Sequence, residues 1–353
     1  MKAVYIYPGT FSPPTLGHLN IVQQAAAILP ELVVICSENP NKENVWFNPD
    51  ECKRLWLTYS LPKNVSVMTL TEFWRLLIKA EQIIMVRGLR YVRDLAEEQE
   101  VMLLNKQRFD IKKYFYIFSE EKYQDISSSN VRLMATDLDL RKLGQCVSPL
   151  VISALLEKTL AAKNIFLVVG KPGAGKSTIL KRLSRMDKNN YWINTDNFNQ
   201  KLKPLLKEKF KEEDLIKIAL KDGKKMKRII GPAWTELLKQ ALLAARPEAN
   251  IFVEIAYGLQ KDKLMFRFVG GKIIYIGCDK EANNFARVIE RGTPQLAAFI
   301  EKIPGQKDTE NLAKKYGLAV SYINTDCSLK ELSKKIKQLN TLVKGGLSYA
   351  YNL

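Results

Sequence analysis

Histidine is almost missing from this chain: there is one, His18, in 353 residues. The five cysteines (Cys36, Cys52, Cys146, Cys278, Cys327) lie far apart and show no CxxC spacing. A structural zinc site therefore lacks its ligands. An odd, scattered cysteine set without a signal peptide fits a reducing cytoplasm. No apolar run approaches ~20 residues, so nothing is expected to span a membrane. Internal repeats and low-complexity tracts are absent too. What is present is globular material: hydrophobic residues make up 46% of the chain, which supports real cores and argues against disorder. The length is enough for two domains of ordinary size.

Acidic residues are scarce in the second half only. Residues 1–160 carry 19 Lys/Arg against 18 Asp/Glu, and 161–353 carry 36 against 19, so the formal charge of +18 belongs almost wholly to the second half. Polyphosphate substrates, nucleic acid and an anionic surface would each suit such a balance, as would lysine-rich solvated helices.

Strand-like and helix-like runs alternate through the first half, from KAVYIY (2–7) and a helix over 19–29 to YFYIFS (114–119) and a helix from Ser128. This predicts a mainly parallel, doubly wound sheet. The segment 149–160 closes the unit, AAKN (161–164) is a short junction, and a second α/β unit restarts at IFLVV (165–169). The expected division is 1–160, 164–340 and a tail, 341–353, that carries no readable signal.

The run YPGTFSPPTLGH (7–18) follows the first strand and precedes the first helix, with Pro8, Gly9, Pro13 and Pro14 marking a tight loop. Ligands bind at the carboxyl ends of strands in open α/β sheets, and helix N-termini favour anions. Gly17 would let a phosphate approach the backbone, and Thr10 offers a hydroxyl beside His18. One well-placed donor to a phosphate under attack can be worth roughly 3 kcal/mol. The alternative is an ordinary capping histidine in a βα loop.

In the second half, GKPGAGKS (170–177) fits GxxxxGK[ST] between a buried strand and a helix, the setting of a phosphate-binding loop. Gly170, Lys171, Pro172, Gly173, Ala174 and Gly175 would cradle phosphates through backbone N–H groups, followed by Lys176, Ser177 and Thr178. Lys176 would reach the β/γ-phosphates and Ser177 would hold Mg²⁺. Asp196 ends YWINTD (191–196), where a carboxylate can accept a hydroxyl proton or cap a helix. Arg287 and Arg291 lie one helical turn apart, placed to clamp a transferring phosphoryl group or simply to face solvent.

The first run resembles the T-x-G-H form of the nucleotidyltransferase signature, and YPGTF is most similar to bacterial phosphopantetheine adenylyltransferase. NPNK (39–42), VRGLRYVRD (86–94) with Glu98 and Asn105 downstream, and ISSSNVR (126–132) repeat that resemblance in register. Ser12 departs from it, since the family usually has Asp there. The resemblance implies a Rossmann-like domain that transfers adenylate from Mg·ATP to 4′-phosphopantetheine, with His18, Thr10 and Lys42 as catalytic residues. It places Thr10, Lys42, Phe73 and Arg87 at phosphopantetheine. Facing ATP it places Thr10, Phe11, His18, Gly88, Leu89, Arg90 and Glu98, then Tyr123, Ser127, Ser128 and Ser129. It also implies a homo-oligomer, hexamers being common in that family.

The second half resembles dephospho-CoA kinase more weakly, through INTD (193–196), RVIER (287–291), KIPGQK (302–307) and YINTDCSLKEL (322–332). Glu254 replaces an Asp there, and Gly231 stands where an H-P pair holds substrate. That resemblance implies a P-loop kinase acting on dephospho-CoA, with Asp196 as base, Lys176 and Ser177 on ATP and Mg²⁺, and Arg287 and Arg291 stabilising charge. Two other assignments stay open: a pair acting on nicotinamide nucleotides, and a second domain that binds or phosphorylates RNA. The RGLR and NPNK segments argue against the first, and the lack of aromatic–basic interleaving argues against the second.

Overall fold

A computed structural model describes residues 3–40, 42–76, 82–109, 111–212, 215–255, 272–277, 290 and 319–345. The chain packs as two compact units, Met1–Val151 and Ile152–Leu353. The division falls inside the helix Pro149–Thr159, ahead of the junction at 161–164 that composition suggests.

The first unit is built on five parallel strands: β1 (Ala3–Gly9), β2 (Leu32–Cys36), β3 (Val65–Thr69), β4 (Gln82–Leu89) and β5 (Lys113–Phe118). Their order is β3-β2-β1-β4-β5, so the chain leaves one edge and returns beside β1. That reversal opens a crevice between the carboxyl ends of β1 and β4, where doubly wound sheets bind ligands. The helices are α1 (Leu16–Ile28), α2 (Pro49–Trp56), α3 (Leu70–Leu76), α4 (Asp94–Phe109), α5 (Ser128–Thr136) and α6 (Leu140–Cys146), with α7 (Pro149–Thr159) at the division. Ile6, Ile35, Phe73, Met85 and Ile111 form one core cluster.

Pro8 and Gly9, expected to lie outside any regular element, continue β1. Beyond Ile6 the strand has lost β4 as a partner and pairs only with β2, through Pro8↔Ile35 and Gly9↔Cys36. A proline is tolerated there because the ladder is already one-sided.

The second unit repeats the layout with β6 (Asn164–Val169), β7 (Asn190–Asn194), β8 (Asn250–Glu254), β9 (Lys272–Gly277) and β10 (Ala319–Asn324), all parallel and ordered β10-β9-β6-β8-β7. Its described helices are α8 (Lys176–Met186), α9 (Asp196–Phe210), α10 (Leu215–Leu243, broken at Asp222) and α11 (Leu329–Gly345). β6 is buried along its whole length, as a central parallel strand should be. α8 and α11 cover one face through Ile179, Leu180, Leu183, Leu332, Ile336 and Leu339. Among the described residues no helix is long and apolar enough to cross a membrane.

Candidate active site

The crevice at the ends of β1 and β4 is a cleft of about 530 Å³. Thr10, Phe11, Gly17, His18, Lys42, Arg87, Gly88, Leu89, Arg90, Tyr123, Ser128 and Ser129 all line it. Residues as far apart in sequence as Thr10 and Ser129 meet here because β1, β4 and the N-termini of α1 and α5 converge at one end of the sheet.

His18 is fixed by the helix it begins. Thr15 is the N-cap of α1, and its hydroxyl accepts from the His18 backbone N–H at 3.4 Å. In return the Thr15 N–H donates to His18 Nδ1 at 3.1 Å, with the Thr15 hydroxyl 3.0 Å from the same nitrogen. This is a capping box with histidine in the place usually taken by Glu or Gln. A nitrogen that accepts a backbone N–H carries no proton, so the neutral ring holds its hydrogen on Nε2. Phe11 packs edge-on to the imidazole at 5.1 Å and Trp56 lies 6.5 Å away. Burial in this setting, then the positive charges of Arg90 and Lys42, pull the His18 pKa down to about 3. The ring is a neutral donor. The cap uses Nδ1, so the capping and donating roles read from sequence do not exclude one another.

Cations surround the ring. Desolvation first, and then the guanidinium groups of Arg87, Arg132 and Arg90, hold the Lys42 ammonium below its ordinary pKa. Arg87 is neutralised by a bidentate pair with Glu98, at 2.7 Å from Nε and 2.6 Å from Nη2. Glu98 thus stands behind Arg87 and is not among the cleft-lining residues. Among the described residues Arg132 donates to neutral oxygens, the Ser12 carbonyl and the Ser129 hydroxyl. Positive charge held this way favours polyphosphate.

Phe73 lies in the core cluster at 4% exposure and does not line the cleft. Ser127 acts as the N-cap of α5, accepting from the Asn130 N–H, while Ser128 donates to the Pro13 carbonyl. Ser128 therefore ties the α5 start to the T-x-G-H loop. Gly17 owes its type to this contact: a Cβ there would lie 2.8 Å from the Ile126 carbonyl. What approaches Gly17 closely is protein backbone. Arg132, the last letter of ISSSNVR, also lines the cleft, and its spacing of one helical turn from Ser128 is the sequence signal for that place.

In the second unit a glycine-rich loop joins β6 to α8. Gly170 (φ 149°), Gly173 (φ 81°) and Gly175 (φ 89°) take backbone conformations that L residues rarely adopt. A Cβ on Gly170 would sit 2.0 Å from the Ile276 carbonyl, so no side chain fits. Lys171, Pro172 and Ala174 are buried in the loop, and Thr178 is exposed on the first turn of α8. Lys176 folds over the loop, donating to the carbonyls of Gly170 (2.8 Å) and Lys171 (3.2 Å). Ser177 donates to Glu254 Oε1 at 2.8 Å, and Trp192 Nε1 donates to Glu254 Oε2 at 3.0 Å. Burial lifts the Glu254 pKa, offset in part by Lys176, Ser177 and Trp192. A hydroxyl and a carboxylate are the hard oxygen donors Mg²⁺ prefers, so Ser177 and Glu254 fit that ion. In sequence Glu254 stands out only as a replacement for Asp; a carboxylate closing the strand beside the loop is the signal for its contact with Ser177. Asp196 opens α9 and is exposed, its N–H bonded to the Asn194 side chain. Arg287 and Arg291 lie outside the described residues.

Residues 6–134 match the cytidylyltransferase-like family model. Phosphopantetheine adenylyltransferase of Mannheimia succiniciproducens is 30% identical over 159 residues, covering 45% of this chain and 99% of that protein. The enzyme of the same name from Thermotoga neapolitana is 35% identical over 159 residues, 44% of this chain and 96% of that one. A solved NadR protein in complex with NAD and AMP-PNP aligns over 100% of this chain and 91% of its own, at 14% identity and a TM-score of 0.34, too low to bear on substrate. With its cleft, its T-x-G-H loop and near full-length relatives at this identity, the chain belongs, through its first unit, to the phosphopantetheine adenylyltransferase family of nucleotidyltransferases.

Proposed function

We propose that the first unit transfers the adenylyl group of ATP to 4′-phosphopantetheine. An oxygen of the acceptor phosphate attacks the α-phosphorus; the bond to the α,β-bridging oxygen breaks, and pyrophosphate leaves with its electron pair. The nucleophile is already anionic, so no strong base is needed and positioning supplies most of the rate. His18, neutral with its hydrogen on Nε2, donates to the α-phosphate as negative charge builds there, assisted by Thr10. Lys42 and Arg87 take the acceptor phosphate. Gly88, Leu89, Arg90 and the 123–129 segment take ATP, with Mg²⁺ neutralising the triphosphate. The observation that carries this reading is the Thr15 N–H placed on Nδ1 of the sole imidazole, within a cleft of cations.

The purified protein should release pyrophosphate from ATP and 4′-phosphopantetheine, and His18→Ala should lower that turnover by about 10²–10³. Turnover by His18→Ala within a few-fold of normal would refute the mechanism. Release with a nicotinamide mononucleotide acceptor instead would keep the chemistry and change the substrate.

For the second unit the reading is ATP-dependent phosphorylation of the 3′-hydroxyl of dephospho-CoA. The strand–loop–helix geometry with Ser177 on Glu254 supports nucleotide and Mg²⁺ binding. Asp196 is the proposed base, and Arg287 and Arg291 the proposed charge-stabilising pair. ADP and coenzyme A formed from dephospho-CoA and ATP is the expected result; ATP use only with another hydroxyl acceptor would refute it.

A further inference from the structure

Ser12 is 2% exposed, lies in the T-x-G-H loop, and has no part in the mechanism above. Its hydroxyl accepts from two consecutive backbone N–H groups, those of Trp46 and Phe47, each at 2.9 Å. Its carbonyl accepts from Arg132 Nη1. The Trp46–Phe47 pair ends the segment that carries Lys42. Residues 42–45 line the cleft and are exposed, with a turn at Asn44 in the left-handed region (φ 59°). At its start the Lys42 N–H bonds the Asn39 carbonyl at 3.0 Å; at its far end the segment is held by the Ser12 hydroxyl.

We infer that Ser12 is a positioning residue whose hydroxyl fixes the Lys42 segment against the phosphate cleft. One residue then ties two cations to the loop that bears Thr10 and His18: Lys42 through the side chain, Arg132 through the main chain. Alanine at this position removes the first tie and leaves the second. A long lysine on a loosened segment still reaches phosphate, but only after ordering that Ser12 otherwise supplies in advance. The inference rests on the cleft being a phosphate site, as proposed above, and not on the identity of the acceptor.

The test is pyrophosphate binding to the full-length protein by calorimetry, which separates affinity from the fraction of competent protein. Ser12→Ala should weaken binding about tenfold, while Ser12→Thr, which keeps the hydroxyl, stays within about twofold. The double variant Ser12→Ala/Lys42→Ala should bind no more weakly than Lys42→Ala alone, because Ser12 acts through Lys42. Additive losses overturn the inference, as does unchanged affinity with only a lowered stoichiometry, the mark of a purely structural role. Wild-type protein without measurable pyrophosphate affinity overturns it as well. Should Ser12→Ala fail to fold, Ser12→Cys, close in size but a poor acceptor, takes its place in the cycle. If wild type binds pyrophosphate but does not convert 4′-phosphopantetheine, the acceptor assignment falls and this cycle still decides the role of Ser12.

Discussion

In the proposed mechanism the imidazole of His18 serves through both nitrogens, and the division between them is testable because the chain has no other histidine to obscure it. Nδ1 belongs to the helix cap, and the proposed mechanism assigns Nε2 to the reaction. The ring should give one set of imidazole resonances with the ¹⁵N shifts of the Nε2–H tautomer, unchanged from pH 8 to pH 5. A midpoint near the ordinary value of 6.5 would contradict the depressed pKa of about 3. Linkage adds a second check. Between those two values the unfolded chain binds a proton at His18 that the folded chain does not, so this group makes stability fall as pH falls through 6.5. Relative to His18→Asn, wild type should lose up to about 2 kcal/mol more unfolding free energy between pH 7 and pH 5, by urea titration. At this scale the sequence was legible where neighbours act together: Tyr7 to His18 announced a loop, and His18 at a helix start announced a cap or a donor. It was silent where partners are distant. Ser12 meets Trp46 and Arg132 across 34 and 120 positions, and no spacing rule in one chain reveals such pairs.

Strands rather than single residues place the second site. Asn164, Asn250 and Asn190 are the first residues of β6, β8 and β7, and they stand opposite one another in the sheet register. Their buried side chains form a ladder: Asn164 Nδ2 donates to Asn250 Oδ1 (2.9 Å), and Asn250 Nδ2 to Asn190 Oδ1 (3.3 Å). Asn190 Nδ2 donates to Asn340 on α11 at 2.7 Å, and Lys272 at the start of β9 donates to Asn164 Oδ1 at 2.9 Å. A slip by one residue would turn apolar side chains to the wrong face and strand these amides unpaired. The same register, four residues on, sets Val168 opposite Glu254 and so delivers the carboxylate to Ser177. Asn250→Ala should therefore cost about 1–3 kcal/mol of stability, by leaving buried polar atoms unsatisfied. It should also weaken ATP binding, although the change lies at the opposite end of the strand from the phosphate loop. Unaltered ATP affinity in a destabilised variant would show that register and site are separable. The strands and the loop were readable from their apolar runs and glycines. That Glu254 meets Ser177 was not, because register between partners such as Val168 and Glu254, 86 positions apart, leaves no trace in local pattern.

At the scale of the whole molecule, two sheets each carry one proposed phosphate site at the carboxyl end of a central strand, β1 in one and β6 in the other. Each site draws its described residues from its own unit: His18, Lys42 and Arg87 from the first, Lys176, Ser177 and Glu254 from the second. Chemical lesions should therefore stay local. Lys176 is 6% exposed and bonded to two loop carbonyls, so Lys176→Met removes the charge while keeping the aliphatic stem that packs there. Given 4′-phosphopantetheine and excess ATP, Lys176→Met should release pyrophosphate at the wild-type rate and stop at dephospho-CoA. His18→Ala should release almost none, yet still form ADP from added dephospho-CoA at the wild-type rate. Product analysis by chromatography distinguishes the two blocks directly. If His18→Ala also abolished ADP formation from added dephospho-CoA, the second activity would depend on the first cleft, and two independent phosphate sites could no longer describe this chain. If instead both variants behaved as expected but wild type accumulated dephospho-CoA to the end, the second unit would bind nucleotide for some other acceptor. The excess of 36 basic over 19 acidic residues in 161–353 would then be the feature to follow, by asking whether that acceptor is a polyanion whose binding weakens steeply with salt.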